Sequence, residues 1–200
     1  MEELLEFWFG SSFEDGFPCQ PDRVDLWFRA TPAHDWEIYR RFHRLTEQAL
    51  HGELENWAET PHGRLALILL LDQLPRHLFR HSCWAYRGDG AALRHCREAL
   101  ELGQDRPLLA CQRLFLYAPL EHCEELSTQQ QALANFDRFV AEAPPATARR
   151  LAFFAHWIRV HHDVIERFGR FPWRNRVLGR ANTPDETAYL VNNPPYLGQW

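Results

Sequence analysis

The sequence contains no lysine: all 22 of its basic side chains are arginine. GC-rich codon usage would explain this, and so would a need for the planar fork that arginine presents to carboxylate or phosphate. Long apolar runs are also missing, since the longest, residues 65–71, is far short of a membrane span. The start of the chain is acidic, and its apolar stretch is too short for a signal peptide. We therefore expect a soluble, cytoplasmic protein.

A basic surplus is absent as well, because the formal net charge is −5. Proteins that bind duplex DNA or anionic membranes usually carry such a surplus, since phosphate neutralisation supplies much of their affinity. Residues 167–180, RFGRFPWRNRVLGR, contain five arginines and no acid, so this positive segment lies in an acidic background. We expect no nucleic-acid or membrane partner, and we expect the segment to pair with carboxylates of the same chain.

Sequence motifs of common cofactor and nucleophile sites are missing too. The five cysteines include no CxxC pair, which favours a reduced cytosolic setting, and no GxSxG, HExxH or glycine-rich phosphate loop is present. His161, His162 and Glu166, together with His122, Glu121 and Glu124, could supply metal ligands across two helices. His162 and Glu166, however, are more simply a solvated helical pair. Cys123 directly follows His122 and is interpreted as a small packing residue. We expect no metal and no cofactor.

Helical periodicity is present almost throughout the chain. An apolar fraction of 46% in 200 residues suits one domain with a full core. We predict an all-α domain over residues 1–191, with eight to ten helices in antiparallel pairs, and a tail over residues 192–200. Residues 62–74 and 105–118 are apolar on nearly every side, which predicts central, buried helices. Residues 11–32 are expected to form a loop without a hairpin.

Capping and helix-breaking residues indicate where other helices begin and end. Asp89 and Asp105 are each expected to cap a helix, and Pro119 to interrupt one. Thr183 and Glu186 have the spacing of a capping box. The helix after residue 32 is expected to bury one stripe, consisting of Trp36, Tyr39, Phe42 and Leu45.

Two apolar helices end in polar residues and a proline. These residues are Asp72, Gln73, Pro75 and Arg76 in LLLDQLPRH, and Pro119, Glu121, His122 and Glu124 in YAPLEHCE. A carboxylate that emerges from an apolar helix costs several kcal/mol if it stays charged and unpaired. The two prolines also free the carbonyls of Leu71 and Phe115. Both kinds of acceptor need donors, and an arginine has five N–H groups.

The arginine-rich segment can supply those donors. It turns at Gly169 and Pro172 and alternates large rings with Arg170, Arg174 and Asn175. Three interpretations stay open: a buried network that fixes how helices cross, a pocket that binds an anion, and stacking of single-stranded bases, which the negative net charge disfavours. We predict that Arg170 or Arg174 forms a salt bridge with at least one of three acids, Asp72, Glu121 or Glu124.

Four segments resemble those that define one known family: RLALILLLDQLPRHLFR, LFLYAPLEHCEELSTQQ, HHDVIERFGRFPWRNRVLGR and NTPDETAYL. From about Leu4 to Leu190 the chain is similar to the bacterial family catalogued as domain of unknown function 924. The resemblance implies a tetratricopeptide-like all-α superhelix, and it implies no particular reaction. The tail from Asn192 lies beyond the resemblance.

The resemblance also marks polar positions, which are Asp72, Gln73, Arg76, Glu121, His122, Glu124, His161, Arg170, Arg174, Asn175 and Arg180. The sequence departs from the family at three places. Trp173 stands where the family usually has histidine, Cys123 where it has serine, and His77 where it has asparagine. The missing histidine favours a structural role over an enzyme that would need it.

Three functions of different classes are compatible with these residues, and the fold alone does not select among them. The first is a binding module for a small anionic ligand or a peptide, whose cleft is formed by Arg170, Arg174, Asn175, Arg76, Glu124, Asp72, Gln73 and Arg180. The second is an enzyme with His122 or His161, flanked by Glu121, as general acid–base on an anionic substrate. The third is a structural or interaction protein with an internal arginine–carboxylate network.

Overall fold

The protein is α-helical, with one short β-hairpin near its N-terminus. The computed structural model describes residues 1–192, so all but the first residue of the expected tail lies outside the described part. The elements are α1 (Glu2–Phe9), β1 (Phe13–Glu14), β2 (Phe17–Pro18), α2 (Pro21–Phe28), α3 (Pro32–Leu50), α4 (Pro61–Ile68), α5 (Leu74–Leu78), α6 (Asp89–Glu101), α7 (Ala110–Glu121), α8 (Leu126–Glu142), α9 (Pro145–Phe168) and α10 (Pro184–Asn192). The predicted all-α class is confirmed.

The core is centred on α4 and α7, as their apolar sequences predict. Residues 65–71 are at most 1% exposed, and Leu116 is fully buried. Helix α4 packs against α6 and α7, while α7 also contacts α6, α8 and α9. Burial of large side chains on every face of both helices offsets the conformational entropy that is lost when these residues are ordered.

Helices that follow one another in the chain pack together in space. The pairs α6–α7, α7–α8 and α8–α9 are in contact, and only Ala143 and Pro144 separate α8 from α9. Such a short connection makes the two helices fold back as a helical hairpin. This packing agrees with the predicted helix pairs, whereas a tetratricopeptide-like superhelix stays a prediction.

The expectation of a loop without a hairpin over residues 11–32 is wrong. Strands β1 and β2 are antiparallel, with Glu14 opposite Phe17, and α2 occupies the second half of the span. Asp15 and Gly16 connect the strands with φ of 51° and 78°. An Asp-Gly pair suits such a two-residue turn because both positions need positive φ. Strands of two residues are too short to show alternation, which is why the pattern did not predict them.

The buried stripe of α3 also differs from the predicted one. Its buried residues are Ile38, Phe42, Thr46 and Ala49. Trp36 and Tyr39 are 63% and 49% exposed and stack on each other with ring centroids 5.7 Å apart. The aromatic residues suggested a core stripe, but the helix presents the neighbouring face to α5 and the turn before it.

Two predicted helix boundaries need correction around α7. The helix begins at Ala110, and Asp105 does not cap it. Instead, Asp105 accepts a hydrogen bond of 2.5 Å from the Tyr117 hydroxyl and one of 3.1 Å from Arg113. Pro119 lies inside α7 rather than interrupting it, because a proline within the last turn loses one backbone hydrogen bond without ending the helix.

A π-helical turn separates α4 from α5 and positions the polar residues Asp72, Gln73 and Arg76. It spans Leu69–Gln73 and precedes Pro75. The turn accommodates a proline that cannot donate an N–H to the preceding backbone. Gly88 lies against the carbonyl of Leu71, and a Cβ at Gly88 would overlap that oxygen. The wide turn therefore brings the polar residues after Leu71 beside the start of α6.

Candidate ligand-binding site

A cavity of about 140 Å³ lies where α7 and α9 meet α2, α5 and the 3₁₀ turn Pro172–Arg174. Six residues predicted from the sequence line it: Gln73, Arg76, Glu121, His122, His161 and Arg174. The remaining lining residues are Trp27, Phe28, His77, Tyr86, Leu114, Phe115, Ala118, Phe154, Trp157 and Trp173.

Asp72 lies behind His122 and orients its ring. The carboxylate is fully buried, and its Oδ1 is 2.7 Å from Nδ1 of His122. Burial alone would raise the pKa of Asp72, but Arg76 and His122 outweigh that effect and lower the pKa. The ionised carboxylate accepts the Nδ1 proton, which leaves Nε2 of a neutral His122 as an acceptor. No side chain of residues 1–192 hydrogen-bonds that Nε2.

Arg76 is paired with two carboxylates of the protein. Its Nη1 lies 3.3 Å from Asp72 and 3.0 Å from Asp89, and it also donates to the backbone carbonyl of Asp72. Burial would lower the pKa of Arg76, but the two carboxylates raise it. With two acids and a carbonyl around it, Arg76 has little charge left to offer a ligand.

Arg174 is buried but poorly paired. It is 7% exposed, and its Nη1 donates to the carbonyl of His122 at 3.0 Å and lies 3.5 Å from Asp89. Its Nε is buried without a partner, and within residues 1–192 its Nη2 forms no hydrogen bond. The rings of Tyr86 and Phe171 lie 4.6 Å from the guanidinium carbon. Burial lowers the pKa of Arg174, and Asp89 only partly opposes this.

His161 is a neutral group at the same wall. Burial lowers its pKa, against a smaller opposite effect of Glu121. Its Nδ1 is 3.8 Å from Glu121 Oε2, which is beyond hydrogen-bond length, and is otherwise unpartnered. The His161 ring packs edge-on against Phe171, with centroids 5.4 Å apart, and against His122, at 6.2 Å. His161 therefore offers a second imidazole without adding positive charge near neutral pH.

The other predicted site residues form a separate network that holds the arginine-rich turn. Arg180 forms a two-point ion pair with Glu124 at 2.5 and 2.9 Å, and Glu124 also accepts the Phe171 N–H at 2.8 Å. Arg170 donates to Glu186 at 2.6 and 2.8 Å. None of these four charged side chains lines the cavity. They position the turn that carries Arg174.

Glu186 connects this network to α10. It completes the predicted capping box, because the Thr183 N–H donates to Glu186 at 2.7 Å and the Glu186 N–H donates to Thr183 Oγ1 at 3.2 Å. Asn175, which is fully buried, donates to the same carboxylate at 3.2 Å. The hydrogen bond from Arg170 is the largest of the effects that lower the pKa of Glu186 to about 2.

The predicted pairing of Arg170 or Arg174 with Asp72, Glu121 or Glu124 is wrong. Among the described side chains, Arg170 pairs with Glu186, and Arg174 pairs with Asp89. Asp72 pairs with Arg76 and Glu124 with Arg180, while the nearest basic group to Glu121 within residues 1–192 is the imidazole of His161, at 3.8 Å. The segment places Arg180, rather than its first arginines, beside Glu124, because the chain turns back at Gly179, whose φ is 67°.

Donors reach backbone carbonyls as expected, but at different residues. The acceptors are Asp72, reached by Arg76, and His122, reached by Arg174, rather than the predicted Leu71 and Phe115. Gln129 donates to the carbonyls of Glu121 and Cys123, both at 2.7 Å. A helix end leaves its last carbonyls without backbone partners. The carbonyls that Arg174 and Gln129 reach therefore lie at the end of α7, and not at the residue that Pro119 would free.

Comparison with known proteins agrees with the four sequence segments. The family model described as bacterial protein of unknown function (DUF924) matches residues 4–194. The chain belongs to this family. It is also similar to the solved structure of the protein of unknown function ATU0120 from Agrobacterium tumefaciens, with 32% identity, a TM-score of 0.81, and coverage of 96% of this chain and 97% of the other. Among curated proteins no match is found.

In this DUF924 chain, the sequence did not predict which aromatic residues line the cavity, or that one acid, Asp89, is shared by two arginines. Asp89 was expected to cap a helix, but Gly88 is the N-cap of α6 and the Asp89 carboxylate lies between Arg76 and Arg174. Trp27 and Trp157 reach the cavity from helices far apart in the chain. The eight tryptophans of the sequence indicated that large rings would matter for packing. Which of them line the cavity depends on how distant helices pack.

A separate group of possible metal ligands lies on the surface of α9. His162, Asp163 and Glu166 bring one ligand atom each within 4.8 Å of one another. Asp163 and Glu166 are exposed, and exposed acids often cluster without an ion. Over residues 1–192, no helix has the length and apolar character that crossing a bilayer requires.

Proposed function

We propose that this protein is a binding module for a small anionic ligand, which occupies the cavity with its anionic group on Arg174. The observation that supports this most directly is the state of that guanidinium: it is 7% exposed, lines the cavity, and has two of its three nitrogens without a hydrogen-bond partner in the described chain. An unpaired buried donor costs about 1–3 kcal/mol, more when charged. A ligand oxygen that accepts from this guanidinium would offset part of that cost.

Preorganisation strengthens the proposal. Tyr86 and Phe171 lie on the guanidinium, and the neighbouring ion pairs of Arg170 and Arg180 hold the turn from which Arg174 projects. A charged donor that is already oriented and desolvated binds an anion more strongly than a mobile surface arginine. A cavity of about 140 Å³ suits a small molecule better than a peptide.

The proposal is tested by thermal-shift measurements at fixed ionic strength with acetate, phosphate and larger carboxylates. Arg174→Met removes the guanidinium and its charge and keeps an unbranched apolar stem. Arg176→Met is the matched control, because Arg176 belongs to the same segment but is exposed. We expect a specific anion to stabilise the wild type and Arg176→Met, and to have little effect on Arg174→Met. Equal responses in all three proteins would leave only a structural role for the arginines.

A second function, acid–base catalysis on the bound anion, is favoured by the hydrogen bond between Asp72 and His122. A buried carboxylate on Nδ1 selects the tautomer whose Nε2 can accept a proton. We propose His122, rather than the more deeply enclosed His161, as the base. Carbon-bound protons of a binding carboxylate would then exchange in D₂O, as followed by NMR, and exchange would be lost in His122→Gln. Exchange that persists in that variant would exclude this role.

A further inference from the structure

The lining of the cavity combines two chemically different sets of residues. The polar set includes Arg174, His122, His161 and Glu121, and the apolar wall consists of rings from α2, α7 and α9. The rings of Trp27 and Phe115 are 4.9 Å apart, and those of Phe28 and Phe154 are 5.8 Å apart. Because these rings pack on each other, the apolar wall is formed before any ligand arrives.

The size of the cavity sets the size of an apolar group that could fill it. An apolar cavity of about 150 Å³ accommodates a benzene molecule, and the volume here is about 140 Å³. Acetate or inorganic phosphate is too small to contact Arg174 and the apolar wall together. An anion with a body of about one six-membered ring is large enough to contact both.

The charges near Arg174 limit the charge of the ligand. Asp89 lies 3.5 Å from its Nη1, and Glu121 lines the same cavity. Arg76, the other cation in the lining, is engaged by Asp72 and Asp89. A ligand with a single negative charge would satisfy Arg174, while a second charge would face these carboxylates in a poorly solvated site.

From these observations we propose that the ligand is a monocarboxylate with an apolar body of about one ring, aromatic or branched aliphatic. The carboxylate accepts from Nη2 of Arg174, and the body lies against Trp27, Phe154 and Trp157. This proposal rests on the proposed anion-binding function and adds the class of ligand to it. Burying an apolar group the size of a Phe or Leu side chain raises affinity roughly 10- to 160-fold, so a ring should improve binding over acetate on the order of 100-fold.

The test is a set of dissociation constants, measured by calorimetry at fixed ionic strength, for acetate, phosphate, phenylacetate, cyclohexanecarboxylate, 4-methylpentanoate and the neutral phenylacetamide. We expect at least one of the apolar carboxylates to bind on the order of 100-fold more tightly than acetate. Phosphate and phenylacetamide should bind weakly. The preference should disappear in Trp157→Ser, return in Trp157→Phe, and persist in the control Leu102→Ser, since Leu102 is 66% exposed.

The outcomes separate this proposal from the one on which it rests. If acetate or phosphate binds as tightly as the apolar carboxylates, and Arg174→Met abolishes binding, anion binding stands and the ligand class is wrong. If phenylacetamide binds as tightly as phenylacetate, the anion site itself is wrong. Absence of binding by every probe would overturn both. Circular dichroism of each variant shows whether lost binding reflects lost folding, and Trp157→Phe keeps the test decisive if Trp157→Ser does not fold.

Discussion

Nδ1 of His122 lies 2.7 Å from a carboxylate oxygen of Asp72, a residue 50 positions earlier in the chain. This contact joins the end of α7 to the π-helical turn after α4. It also places a fully buried carboxylate between an imidazole and the guanidinium of Arg76. Asp72 is therefore expected to act on stability and on the orientation of the site at once.

Asp72→Asn should destabilise the protein by about 3–5 kcal/mol at pH 7, because it removes one partner of a buried charge pair. The pKa of Asp72 is lower in the folded state than its ordinary value near 3.8. Its stabilisation is therefore present above that value and is lost as the pH falls further. Urea unfolding at several pH values measures the effect. Asp137→Asn, at a largely exposed pair, should change the free energy of unfolding by less than about 1 kcal/mol.

Glu186→Gln should show a pH dependence of its own. The folded-state pKa of Glu186 is about 2, below its ordinary value of 4.5. The wild type should therefore be more stable than Glu186→Gln above pH 4.5, and the difference should shrink as the pH falls from 4.5 towards 2. Glu101→Gln is the control variant, because Glu101 is exposed. A difference that stays constant over this range would contradict the assigned ion pair with Arg170.

Arg174→Met and Arg180→Met should differ in their cost to stability. Arg180 forms a two-point, partly buried ion pair with Glu124, so its loss should cost about 2 kcal/mol, between exposed and buried pairs. Within residues 1–192, Nε and Nη2 of Arg174 form no hydrogen bond, and burial lowers the pKa of Arg174, so its replacement should cost less than about 1 kcal/mol. Chemical denaturation of both variants tests the order; a larger loss for Arg174→Met would show that its contacts are structural.

Gly88→Ala should be strongly destabilising, whereas Gly90→Ala should be neutral or stabilising. A Cβ at position 88 would overlap the carbonyl oxygen of Leu71, and the shift needed to relieve it should cost at least about 1–3 kcal/mol. At position 90, inside the first turn of α6, a Cβ meets nothing within 4 Å, and alanine favours the helix by up to about 1 kcal/mol. Comparing the two unfolding midpoints by calorimetry checks the close approach at the π-helical turn.

Sequence pattern predicted well wherever a local rule was sufficient. The apolar stretch 65–71 predicted a buried helix, and the spacing of Thr183 and Glu186 predicted the start of a helix. Both depend only on residues close in the chain. Pattern failed where the decisive contact was distant: Asp89 looked like a cap, but its carboxylate is shared by Arg76 and Arg174. Trp36 and Tyr39 looked like core residues, but the face of α3 that packs inward is the adjacent one.

The sequence by itself determined the all-α class and the two central helices, because apolar periodicity is a property of short segments. Unpaired carboxylates and the family resemblance together also singled out six residues that line the cavity. Only the tertiary structure decided which arginine meets which acid, and which guanidinium at the cavity has nitrogens without a hydrogen bond to residues 1–192. Ion-pair energy depends steeply on distance and burial, and both quantities are set by how helices far apart in the chain pack together.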